Sequence, residues 1–116
     1  MSKFFESDRV KEEMNEITSL QKELYDVILK FPMMSNEAKS DHIDTVKELL
    51  ERQQIMWTRL TLSEDKEAKK MKDYIVSHAK ELGFGDADMG TIFTNMKQTL
   101  EQVQAAYLLH HQHKFV

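Results

Sequence analysis

The chain contains no cysteine, one proline and three glycines. Without cysteine it has no disulfide framework, no thiolate nucleophile and no cysteine-based zinc or iron–sulfur site. So few backbone breakers disfavour a β-fold with many tight turns. The lack of cysteine also suits a reducing compartment, and we expect the protein to be cytoplasmic.

Long apolar runs are also missing, and the charge has the wrong sign for nucleic acid. No apolar run approaches the ~20 residues of a membrane-spanning helix, and the N-terminal stretch MSKFFESDRV lacks a signal-peptide core. The formal net charge is −4, with the acidic surplus in residues 1–58. A surface of that sign repels phosphate backbones. We therefore expect neither a membrane nor a nucleic-acid partner.

What the sequence does have is charge and helical periodicity. Charged residues make up 31% of the chain and hydrophobic residues 41%, with apolar positions recurring every three or four residues. Four such segments predict one all-α domain over residues 1–116, with amphipathic helices at about 8–29, 36–60, 64–82 and 87–110 and a tail at 111–116. The short connections favour antiparallel neighbours, as in a helical bundle or in paired long helical hairpins.

The predicted helix ends are marked by residues with the required capping chemistry. A side chain that can accept a hydrogen bond from a free amide group precedes each helix: Ser7, Ser35, Ser63, and Asp86 or Asp88. Gly83 fits the left-handed backbone position that ends many helices. These residues predict where the chain turns, and they carry no chemistry of their own.

Trp57 and Arg59 are the candidate partner-binding residues. Trp57 falls on the apolar stripe of the second predicted helix, so a core position is its default interpretation. The alternative is an anchor that faces a partner, since tryptophan and arginine are enriched in interface hot spots. In the same stripes, Gln21 and Gln53 could fix the register of two helices as a buried polar pair.

The C-terminal stretch AAYLLHHQHKFV contains three histidines, of which His110 and His113 could share a helix face. They are weak candidates for metal ligands, because a metal site needs further ligands converging from another element. The sequence has no Glu-x-x-His or His-Glu-x-x-His pattern. Polar residues at a helix C-terminus, which favour the negative end of its dipole, are the simpler interpretation. We therefore predict no cofactor.

Several blocks resemble a known family. The matching blocks are FFESDRVKEEM, HIDTVKELLERQQIMWTRLTLSED, AKELG and IFTNMKQTLEQV, which together span roughly residues 4–104. They are similar to a family of small helical proteins of unknown function found in cyanobacteria and in the phages that infect them. The resemblance implies a helical fold and a cytoplasmic setting in a bacterium or a phage-infected one. It implies no catalytic residues.

No nucleophile–base pair, metal motif or phosphate loop points to a reaction. We predict a non-enzymatic helical protein-interaction module that could modulate a host or cellular protein. A metal- or cofactor-binding helical bundle is the alternative. The apolar stripes of the first two predicted helices are broad, so we also predict a homodimer in which residues 8–60 supply most of the contact.

Overall fold

The computed structural model describes residues 3–84 and 88–113, with the side chains of all but Phe84 and residues 110–113. The described residues form helices and no β-strand, which confirms the all-α prediction. A short 3-10 helix spans Phe31–Met33. The α-helices are α1 (Lys3–Glu6), α2 (Asp8–Ile28), α3 (Asn36–Leu62), α4 (Lys66–Ala79) and α5 (Met89–His113).

Two of the predicted serine caps are observed. The Ser7 hydroxyl accepts a hydrogen bond from the Val10 amide at 3.4 Å, and the Ser35 hydroxyl accepts one from the Ala38 amide at 3.1 Å. At the start of α5, Asp88 Oδ2 accepts a hydrogen bond from the Thr91 amide at 3.3 Å. The other candidate for that cap, residue 86, lies outside the described residues.

The third predicted helix start is wrong by two residues. Asp65, not Ser63, caps α4, because its Oδ1 accepts hydrogen bonds from the amides of Glu67 at 2.8 Å and Ala68 at 3.2 Å. The carboxylate also favours the positive end of the helix dipole. Ser63 instead ends α3 in an extended conformation, and its hydroxyl accepts a hydrogen bond from the Asp65 amide at 3.1 Å.

The end of α4 and the end of α5 also differ from the predicted bounds. α4 ends at Ala79 and passes into a short wider turn, Lys80–Phe84, within which Gly83 has a φ of +96°. A positive φ at this point is the left-handed conformation predicted for Gly83. α5 continues to His113, three residues beyond the predicted end, and residues 114–116 of the predicted tail lie outside the described residues.

The helix α3 is the centre of the molecule, because α2, α4 and α5 all pack against it. Both α2 and α5 run antiparallel to α3: Glu13 and Glu16 of α2 pair with Arg59 and Arg52 of α3 respectively. Along the flank of α3 opposite to α2, Lys97 of α5 contacts the middle of α3 and Gln104 contacts its start. The helix α4 lies over the C-terminal half of α3, with Ala68 beside Leu60.

A buried apolar cluster lies at the end of the molecule where α1, α2, α3 and α4 meet. Val10, Met56, Leu60 and Ala68 form it, and the unpredicted helix α1 contributes Phe4 and Phe5 to its edge. The backbone amide of Phe4 donates a hydrogen bond to Asp65 Oδ2 at 3.2 Å, so the cap of α4 also holds α1 in place.

The molecule is elongated, with principal extents of 59 × 31 × 21 Å. Its radius of gyration is 17.0 Å, whereas a compact chain of this length would have one of about 13 Å. α4 has 14 residues and α3 has 27, which correspond to about 21 and 40 Å of helix. The bundle is therefore four helices thick at one end only.

Candidate protein-interaction surface

Two surfaces of the molecule differ in chemistry. The back face is the side of α3 that carries Arg52, Arg59 and Glu51. The front face is the opposite side, which carries Trp57 and is partly covered by α4. Side chains three or four residues apart share a helix face, so each face can be followed along α3 by its spacing.

Ion pairs hold the helices together on the back face. Arg59 donates to both carboxylate oxygens of Glu13, from Nε at 2.6 Å and from Nη2 at 2.8 Å. Arg52 donates to Glu16 of α2 and, at 3.2 Å, to Glu48 of its own helix. The structure thus places Arg59, a candidate partner-binding residue, in a bidentate contact that joins α3 to α2.

A polar residue of α5 that the sequence reasoning missed makes the main contact with the start of α3. Gln104 Nε2 donates to the Ser40 carbonyl at 3.0 Å, to the Ser40 hydroxyl at 3.2 Å and to Asp44 Oδ1 at 2.6 Å. Its Oε1 accepts a hydrogen bond from Lys47 Nζ at 3.3 Å. The signal in the sequence was a polar residue four positions after Leu100, inside the apolar stripe of α5.

The front face contains an apolar cavity of about 320 Å³ where four helices converge. Its lining includes one polar side chain and seven apolar ones: Ile17, Gln53, Met56, Trp57, Leu60, Ile75, Met89 and Phe93. Trp57 packs against the buried cluster and yet remains half-buried, with the Lys72 ammonium 5.8 Å from its ring centroid. The structure thus places Trp57 at the edge of the core, and its role as a partner-facing anchor stays a prediction.

The suggested polar pair between Gln21 and Gln53 is wrong. Gln53 lines the cavity, but Gln21 is exposed on α2, so the two side chains do not form a buried pair. The helical repeat explains the error, since Gln21 lies one turn from Ile17 at the outer edge of the α2 stripe rather than at its centre.

The apolar lining of the cavity continues along the front face beyond the reach of α4. From Ile17, Gln53 and Phe93, steps of three, four or seven residues lead along three helices to Leu24, Ile28, Val46, Leu49, Met96 and Val103. We name the surface of these six residues the open groove. Leu24, Val46 and Leu49 are half-buried, whereas Ile28, Met96 and Val103 are 59%, 43% and 40% exposed.

The charged residues of α5 all lie away from the open groove. Between Met89 and Leu109 this helix has two charged residues, Lys97 and Glu101, which are one turn apart. Lys97 pairs with Glu51 at 3.4 Å on the back-face side of α3. The opposite side of α5 is exposed and uncharged, although 31% of the whole chain is charged.

Within residues 3–84 and 88–109, no group of three or more His, Asp or Glu side chains is placed to hold a metal ion. The histidine candidates His110 and His113 have backbone in α5, but their side chains lie outside the described residues. Over the described ranges, no helix has the length and apolar character needed to cross a bilayer.

Comparison with known proteins identifies a family and nothing closer. No curated protein and no solved structure matches the chain. One family model, described as a domain of unknown function (DUF1825), matches residues 2–107. The match covers nearly the whole of the chain, including α1 to α4 and most of α5. The chain therefore belongs to the DUF1825 family, whose members carry a domain of unknown function.

Proposed function

We propose that this protein is a non-enzymatic helical protein-interaction module whose front face binds another polypeptide. One observation carries the proposal: exposed apolar side chains adjoin an apolar cavity on a face that α4 covers only in part. Large exposed apolar patches on a small protein are typical of surfaces that bind partners. Trp57, at the covered end of this face, supplies the kind of half-buried aromatic anchor found at interface hot spots.

The accessible surface area of the chain is large enough to include a partner interface. The chain exposes 8534 Å². A compact monomer of 13.7 kDa would expose about 6,600 Å². The difference, about 1,900 Å², exceeds the ~800 Å² that each partner buries in a standard protein–protein interface. The chain therefore exposes more surface than a compact monomer of its mass, by more than one partner's share of a standard interface.

The polar groups of the back face support a structural role rather than catalysis. Glu13, Glu16, Arg52 and Arg59 contact one another across α2 and α3, and Gln104 joins α5 to α3. Their charges and hydrogen bonds are explained by helix packing. We propose that the module acts in a bacterial cytoplasm, or in that of a phage-infected cell, where it modulates a host or cellular protein. The resemblance to cyanobacterial and phage proteins favours that setting.

A capture experiment with two matched variants tests the function. The purified protein is immobilised and exposed to a lysate of the bacterium in which it is expressed naturally. Met96→Asp puts a charge in the open groove, and Ile55→Asp puts one on the back face. The two parent side chains are 43% and 50% exposed, so neither change removes a buried contact.

The expected result is that wild type and Ile55→Asp retain the same cellular protein, while Met96→Asp loses it. Circular dichroism and melting temperature confirm that all three proteins are folded. Equal retention by the two variants would contradict a role for the front face. Failure of the wild type to retain any protein above a bare-resin control would contradict a cellular partner.

A further inference from the structure

The occupant of the open groove can be specified from its chemistry. We propose that it is a second copy of this chain, and that two copies pair front face to front face as a two-fold homodimer with α5 at the centre. This inference rests on the proposed function, since it names what binds the same surface. It adds α5 to residues 8–60, which the sequence alone suggested as the main contact.

The first step is that a face with a surplus of one charge sign is repelled by its own copy, whereas an uncharged face is not. In a two-fold dimer the same patch contacts itself, so a charged patch places like charges together. On the back-face side of α2 and α3, a surface depression has an acidic surplus, since two basic residues, Lys11 and Arg52, stand against four acidic ones, Asp8, Glu12, Glu16 and Glu48. The six residues of the open groove are uncharged, and the ammonium of Lys39 lies at the end of the groove, 5.3 Å from the Tyr107 ring centroid.

The second step concerns α5, which is unusual for a helix that packs on one neighbour. Its contacts with other helices are mainly with α3, so most of its circumference is accessible. A helix in that position normally carries charge on its free side. In α5 the free side instead presents Met96, Thr99, Val103 and Ala106. This mixture of apolar and small residues permits a close approach by a second helix.

The third step is the area available. If half of the excess accessible surface of about 1,900 Å² were buried on each copy, the dimer would bury about 1,900 Å² in total. That value lies within the standard range for stable interfaces, about 1,200–2,000 Å². A second copy is therefore large enough to cover the open groove.

Light scattering on the full-length chain tests the proposal. We expect wild type to have twice the monomer mass of 13.7 kDa across a dilution series in the micromolar range. Val103→Asp, which places two carboxylates near the two-fold axis, should reduce the mass to that of one chain. The matched control is Ile55→Asp on the back face, which should remain dimeric. Val103 and Ile55 are 40% and 50% exposed, so both variants should keep the helical content and melting behaviour of a folded chain.

Several outcomes would overturn the proposal. A wild type that stays at 13.7 kDa at high micromolar concentration excludes the homodimer. A dimer that persists in Val103→Asp, or is lost in Ile55→Asp, excludes the open groove as its interface. Different results would refute the homodimer and the interaction function. If the wild type is monomeric but its capture of a cellular protein still depends on Met96, the homodimer is refuted and the interaction function stands. If the wild type is dimeric but captures no cellular protein, the cellular partner is refuted and the homodimer stands.

Discussion

Leu60 and Leu62 provide a direct test of where the stability of this fold resides. Both are leucines near the end of α3, but Leu60 is 3% exposed and Leu62 is 76% exposed. Leu60 packs in the cluster with Val10, Met56 and Ala68. Leu60→Ala removes three buried carbon atoms, worth about 2.4 kcal/mol at ~0.8 kcal/mol per group, and leaves a cavity beside the existing one.

We expect Leu60→Ala to lower the free energy of unfolding by about 3 kcal/mol. Because a chain of this size loses roughly 4 °C per kcal/mol, the melting temperature should fall by about 10–15 °C. Leu62→Ala should change the free energy of unfolding by less than about 0.5 kcal/mol, as for other surface substitutions. Urea unfolding followed by circular dichroism, at one protein concentration for all variants, measures both. A loss below about 1 kcal/mol for Leu60→Ala, or equal losses for the two variants, would refute the placement of the core.

Two further substitutions test the front face and the contact between α3 and α5. Trp57→Ala should cost about 2–3 kcal/mol in the same unfolding assay, less than the ~3–5 kcal/mol of a fully buried tryptophan, because its side chain is half-buried on the cavity wall. A cost above about 3 kcal/mol would indicate that Trp57 is fully buried in the core. Gln104→Ala should cost about 1–2 kcal/mol because it removes the hydrogen bonds to Ser40 and Asp44, whereas the exposed neighbour Gln102→Ala should be nearly neutral. Equal effects of the two glutamine substitutions would contradict the assigned role of Gln104.

The helices were predictable because their signals are local. Apolar spacing, a hydroxyl at Ser7 or Ser35 and a left-handed glycine at Gly83 each act within one or two turns of the chain. The error at Ser63 arose because part of its cause is not local. Ser63 and Asp65 can both cap a helix, and the choice depends on how many extended residues are needed to turn from α3 into α4 and to reach the amide of Phe4.

The positions of the candidate site residues were less predictable, because they depend on contacts between distant segments. Arg59 and Glu13 are 46 residues apart, and no pattern around either one indicates that they meet. The sequence placed Arg59 beside Trp57 as a possible interface pair. In the fold the two side chains point to different faces of α3, so Arg59 stabilises the packing of α2 while Trp57 lines the front cavity.

The front face is a feature of the tertiary structure that the sequence indicates only indirectly. Broad apolar stripes indicate that α2 and α3 bury a wide surface, but they do not say whether another helix of the same chain covers it. The short length of α4 settles that question, because about 21 Å of helix cannot cover the roughly 40 Å of α3. The indirect sign is the lack of charge on one side of α5. A solvent-facing side without Lys, Arg, Asp or Glu lowers the solubility of a protein unless something covers it. The partly uncovered front side of α3 and the uncharged side of α5 are thus two separate observations that support the proposal of a second polypeptide on this face.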